Sequence, residues 1–130
     1  MKEVQEFLKE CGVYFLATSE DNIPHVRPFG TAEIFENKLY IQTGKKKDVS
    51  KQIAKNPNVE LCAYKDGKWL RVKGVLVREE RLEAKKDMLD KNPELKSMYS
   101  AEDDNTEVLY FEKATATFYS FTDSPREIEF

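Results

Sequence analysis

Apolar residues in this chain change their spacing from helical to alternating and back again. Val4, Phe7, Leu8 and Cys11 recur at helical intervals and Gly12 follows as a stop, so the spacing predicts a short amphipathic helix over about residues 2–11. "VYFLATS" (13–19) reads as a buried strand, and Glu20-Asp21-Asn22 as a turn. Pro24 confines its segment to an edge or strand start, because proline cannot donate to a ladder. "HVRPFGTAEIF" (25–35) is predicted as one strand, irregular at Pro28 and Gly30, ending in a turn at Asn37-Lys38. "KLYIQTG" (38–44) sets Leu39, Ile41 and Thr43 on one face and Tyr40 and Gln42 on the other.

A second helix is predicted from about residue 47 to Lys55. Val49 and Ile53 form its apolar face, Asp48 or Ser50 its cap, and Asn56-Pro57 its end. Residues 58–77 form a hairpin around Asp66-Gly67, a pair suited to positive φ. Helical spacing returns over 82–99, broken at Asn92-Pro93. "SAEDDNTE" is an acidic loop that lacks the Asp-x-Asp-x-Asp-Gly spacing of a calcium loop, so no metal is expected there. "EVLYFEK" and "ATATFYSF" read as two more strands, and "TDSPREIEF" as an extended tail. This order predicts a single domain over 1–130, mainly β (α+β): a six- to seven-stranded antiparallel barrel with short peripheral helices.

Composition narrows the function. The formal net charge of −3 argues against a nucleic-acid partner. No apolar run is long enough to span a membrane, and the N-terminus lacks a signal-peptide core. Cys11 and Cys62 form no CxxC pair, which removes zinc and thioredoxin-like readings and suits a reducing, cytoplasmic setting. His25 is the only histidine and no Gly-x-Ser-x-Gly elbow exists, so nucleophilic catalysis has little to work with.

Against the acidic background stands "QTGKKKDVSKQ" (42–52). A phosphate-binding P-loop would need glycine at 39 and Ser or Thr at 46, where the chain has Leu39 and Lys46. What remains is a strand end, Gly44, the lysines Lys45 to Lys47 and a helix N-terminus, a combination that either binds an anion or forms a solvated corner. Pairing across the Asn37 turn would bring Arg27 near residues 46–48, and with Thr43 this makes a candidate phosphate site.

The string "GVYFLATSEDNIPHVRPFG…NKLYIQTGKKKDVSKQIAKNPNVELCAY…GKWLRVKG" resembles the pyridoxamine 5′-phosphate oxidase-like FMN-binding split-barrel superfamily. It is most similar to the small nitroimidazole-resistance (Nim-like) and general-stress-protein branch, and the resemblance covers about Gly12 to Phe121. It implies a split barrel and a homodimer with FMN at the subunit interface. Arg27, Pro28 and Phe29 would then lie along the flavin, with Arg27 on its phosphate, and Gln42 and Thr43 would supply the contacting strand end. Lys47 stands where the oxidases begin a Ser-Arg-Lys phosphate motif. Asp48 and Val49 do not continue that motif, so Lys45 and Lys46 are expected to supply the missing charge. Ala32 stands where the oxidases place a second strand cation. Trp69 matches a glutamine that reaches the flavin, and Arg71 is either a further cofactor contact or strand surface.

The resemblance further implies an oxidoreductase of a small electrophilic substrate such as a nitroaromatic, with NAD(P)H as reductant. The alternatives are a non-enzymatic flavin-binding stress protein, or a binder of haem or deazaflavin in the same cleft. The arginine-rich C-terminal segment of the oxidases has no counterpart in "DSPREIEF", so pyridoxamine phosphate oxidase activity itself is not expected.

Overall fold

A computed structural model describes residues 1–130. The chain runs α1 (Lys2–Cys11), β1 (Tyr14–Glu20), β2 (Ile23–Phe29), β3 (Glu33–Phe35), β4 (Lys38–Gly44), α2 (Asp48–Lys55), β5 (Asn58–Lys65), β6 (Lys68–Glu79), α3 (Leu82–Lys91), a 3₁₀ turn (Pro93–Ser97), β7 (Thr106–Ser120) and β8 (Arg126–Glu129). The strands form one 8-stranded sheet in the order β2-β1-β5-β6-β7-β4-β3, with β8 against β7, and every pairing is antiparallel. This is the expected mainly-β split barrel with short helices, one strand richer than expected.

Three hairpins turn on residue pairs with positive φ: Asp21-Asn22 (52° and 65°), Glu36-Asn37 (48° and 64°) and Asp66-Gly67 (52° and 78°). Such turns match the right-handed twist of the strands that they join. The middle turn falls one residue earlier than expected, so Glu33 faces Tyr40 and Phe35 faces Lys38. The single strand expected over 25–35 is two. β2 pairs only with β1, from Tyr14↔Phe29 to Glu20↔Ile23, while β3 pairs only with β4. β2 and β3 therefore end opposite edges of the sheet, and Gly30 to Ala32 crosses between them. Tyr14 Oη donates to the Thr31 carbonyl across 2.7 Å, and Thr31 Oγ1 accepts the Gln42 N–H at 2.9 Å. Buried Thr31 thus ties β1 to β4 where no ladder does, and the gap beside it is the split.

The two C-terminal strands expected from the sequence are one, β7, of 15 residues. Its ladder with β6 shifts register between Lys73 and Val75, and Lys113 takes φ 50° there. Gly74 suits this bulge, since a Cβ would crowd the facing backbone, meeting Ala114 Cα at 3.0 Å and the Glu112 carbonyl at 3.1 Å. The tail is the eighth strand. Its last residue, Phe130, exchanges two backbone hydrogen bonds with Ala114, of 2.7 and 2.9 Å.

Leu16, Leu61, Leu70, Val72 and Leu109 fill the barrel, sealed by Val4 and Leu8 of α1 and by Val49 and Ile53 of α2. A smaller cluster of Tyr40, Val108, Ala84 and Met88 holds α3 on the outer face. Neither Asp48 nor Ser50 caps α2. The N-cap is Lys47, which has no acceptor to offer, so no side chain satisfies the first-turn N–H groups. No helix is long and apolar enough to cross a membrane.

Candidate anion and cofactor cleft

The split opens into a cleft of about 370 Å³. One wall is the end of β2, with Arg27, Pro28 and Phe29; the floor is Thr31, Gln42 and Thr43; Lys47, the N-cap of α2, and Val49 within it close one end. The 3₁₀ turn and the residues after it close the other, with Glu94, Leu95, Met98 and Tyr99. Six of the residues expected from the sequence thus share one cleft: Arg27, Pro28, Phe29, Gln42, Thr43 and Lys47. Lys46, Trp69 and Arg71 do not line it.

Arg27 reaches α2 by a different route from the expected one. It faces Leu16 across the β1–β2 ladder, so its side chain points to the face that α2 covers. There its Nη1 donates to the Leu16 carbonyl at 3.1 Å and to Thr18 Oγ1 at 2.9 Å, and its Nη2 donates to Gln52 Oε1. Every partner is neutral, and no carboxylate lies within ion-pairing distance. Burial holds its pKa below the ordinary arginine value, although a guanidinium so placed stays charged. A guanidinium has five N–H donors. Nη1 is fully used, while Nε–H and one hydrogen of Nη2 have no acceptor within the protein.

The three lysines part company. Lys45 is bound to Glu80 at 3.2 Å and lies 3.9 Å from Asp104. Its hydrogen bond holds the Glu80 carboxyl below the usual range against the opposing effect of burial. Lys46 is exposed, and its backbone N–H donates to Asn105 Oδ1 at 3.1 Å. Lys47 is exposed at the cleft, has no carboxylate partner and begins α2. Gly44, which precedes them, is closely packed: a Cβ there would sit 3.1 Å from Tyr99 Oη and 3.2 Å from Asn105 Nδ2, so those side chains would have to give way.

The acidic loop braces this corner. The Asn105 carbonyl accepts the Lys45 N–H at 2.7 Å. Asp103 in turn accepts the N–H groups of Ser100, Asn105 and Thr106, at 3.0, 2.8 and 2.7 Å. Desolvation pushes the Asp103 pKa up, but those N–H groups outweigh it and bring it down to about 2.

Trp69 and Arg71 lie on the outer face of β6. Trp69 stacks on Tyr119, with ring centres 5.4 Å apart and planes 8° from parallel, and Arg71 Nε donates to Glu60 at 2.6 Å. Apolar side chains crowd the outer face of the same half of the sheet: Phe15 is 52% exposed, Val26 68% and Tyr64 62%. No group of three His, Cys, Asp or Glu is arranged to hold a metal ion.

The sequence reading missed Thr31, the cleft-facing residues of the 3₁₀ turn, and Thr18 and Gln52 behind Arg27. Gln52 did carry a signal. It lies three residues after Val49 and beside Ile53, an amide on the apolar stripe of a short helix. A polar group there needs a buried partner.

Similar proteins fit this architecture. A NimC/NimA family protein from Clostridium acetobutylicum matches with a TM-score of 0.93 and 43% identity, over 98% of this chain and 93% of that one. A FAD-binding protein from Mesorhizobium loti shares the fold at a TM-score of 0.63 and 18% identity, over 92% of this chain and 94% of that one. A heme binding protein from Mycobacterium smegmatis does so at 0.76 and 14%, over 98% of this chain but 56% of that one. No curated protein sequence matches. Residues 1–122 match the model of the family described as Pyridoxamine 5'-phosphate oxidase, and with the barrel, the split and the cleft in place the chain belongs to that family.

Proposed function

We propose that the cleft binds FMN, with the phosphate against Arg27 and Lys47 at the start of α2 and the ring system along Pro28, Phe29 and Gln42. The observation that carries this reading is Arg27: a half-buried guanidinium with only neutral partners and two N–H donors left over. A phosphomonoester accepts two such bonds at once. The uncapped start of α2 adds a favourable dipole for the same anion. Bound there, the flavin would supply the electron or hydride transfer, and the protein's share would be to hold and orient it. That division of labour suits a cleft whose only acidic residue is Glu94 and which has no histidine or cysteine. Haem is the weaker reading, since Tyr99 and Met98 are the only residues of axial-ligand type on its walls.

In this reading the protein is a homodimer. Contiguous exposed apolar surface of this kind marks an interface, and Phe15, Val26 and Tyr64 would meet a second copy. Trp69 and Arg71 would then reach a flavin only through the dimer. The activity is a reductase of a small electrophile such as a nitroaromatic, drawing on NAD(P)H, and steady-state NAD(P)H oxidation with candidate acceptors separates it from a flavin carrier. The deciding experiment is simpler. Protein mixed with FMN and desalted should be yellow and melt at a higher temperature; a colourless protein with an unchanged melting temperature overturns the reading.

A further inference from the structure

We infer that Gln52 and Thr18 are positioning residues that hold the Arg27 guanidinium with its charge uncompensated and its Nε edge open, so that the cleft prefers ligands ending in a phosphate. The inference rests on the anion-binding reading of the cleft and adds to it two residues that touch no ligand.

The geometry is specific. Thr18 is 3% exposed and Gln52 is 7% exposed, so both polar groups are withdrawn from water and each must find a partner inside the protein. They find each other and the same arginine: Thr18 Oγ1 donates to Gln52 Oε1 at 2.8 Å, and each oxygen accepts from Arg27. Thr18 is on β1, Gln52 on α2 and Arg27 on β2, so one small network joins three elements. It also sets the distance between the arginine and the start of α2, four residues before Gln52. The acceptors take three of the five guanidinium N–H bonds, and the two left over can meet two oxygens of a phosphate.

A carboxylate in place of Gln52 would hold Arg27 as firmly. It would also cancel the charge within hydrogen-bond distance, and the ligand would meet a neutral pair. An amide orients the cation without neutralising it. The side-chain chemistry at position 52 therefore separates holding from charging.

The test is a comparison of FMN with riboflavin, which lacks the phosphate, by fluorescence titration of the full chain carrying Gln52→Glu or Gln52→Met. Gln52→Glu should weaken FMN by about tenfold or more, the size expected when a charge-assisted hydrogen bond is lost, and leave riboflavin within about twofold. Gln52→Met keeps the volume and loses the acceptor, so it should weaken FMN less than Gln52→Glu. Equal loss of both flavins, or FMN affinity unchanged in Gln52→Glu, overturns the role of the uncompensated charge, and FMN affinity unchanged in Gln52→Met overturns the positioning role. A wild-type protein that binds neither flavin fails the flavin reading instead. Inorganic phosphate then serves as the probe: it should raise the melting temperature of wild type and not of Gln52→Glu. No effect of phosphate on wild type would overturn the cradle as well.

Discussion

Two arginines flank α2, and they are treated in opposite ways. Arg78, near the end of β6, lies against the carboxylate of Glu107, which is completely buried, and also reaches Ser50 Oγ at 3.4 Å. Arg27, on β2, leans on the other side of the helix through Gln52 and has no acid at all. The charge of Arg78 is consumed by the fold. Glu107 takes no well-directed hydrogen bond, so its ion pair with Arg78 is what compensates its burial. The charge of Arg27 meets only neutral partners within the chain. The lysine run repeats the lesson at the surface: Lys45 is paired with Glu80, while Lys47 is not paired. A cation becomes a candidate ligand contact through the acids that it lacks, more than through its own position.

Removing the consumed arginine should do the most damage to the fold. Arg78→Ala strands a buried carboxylate and should cost about 3 kcal/mol of stability, the low end for a broken buried pair because Arg78 is 42% exposed and water can partly replace it. Urea denaturation measures this, and Arg78→Met with Glu107→Leu should recover most of the loss. If Arg78→Ala melts like wild type, the two arginines do not differ as described. Arg27→Ala should instead spare much of the stability and strike binding: FMN affinity should fall tenfold or more, roughly 1.5–3 kcal/mol for a hydrogen bond to a charged group, with riboflavin nearly unaffected. The lysines give a smaller version of the same contrast. Lys47→Ala should weaken FMN by about two- to fivefold, as expected for one exposed charge at a helix end, and Lys45→Ala should not. A larger effect at Lys45 would move the phosphate away from the start of α2.

The smallest effect concerns the brace beneath the lysines. Asp103 is depressed to about 2 in the folded protein, against about 3.9 when unfolded, so its contribution is complete above about pH 4 and is lost as pH falls toward 2. Asp103→Asn should therefore lower stability at neutral pH, and its difference from wild type should shrink as acid is added. Denaturation curves at pH 6 and pH 3 check this. A difference that persists unchanged in acid would show that the loop depends on the shape of Asp103 and not on its charge.

Hairpins were legible because their signals are local. Asp66-Gly67 announced its own turn, and the alternation in "KLYIQTG" announced β4 and its two faces. α1 and α2 were legible from Val4, Leu8, Val49 and Ile53 at helical spacing, with Gly12 and Pro57 as stops. The strand breaks were not. Gly30 was visible as an irregularity, yet whether it bent one strand or divided two depended on which edge each half could pair with. The bulge at Gly74 and Lys113 hid in the same way, because it is a mismatch between two strands and belongs to neither alone.

The sequence by itself determined the helices, the hairpin turns, the fold class and a shortlist of cations, since propensity, turn chemistry and hydrophobic period act over a few residues. Tertiary structure alone decided which cation is left unpaired. Whether an arginine is neutralised depends on what lies within about 4 Å of it, and those neighbours come from other elements: Thr18 on β1 and Gln52 on α2 for Arg27, Glu107 on β7 for Arg78.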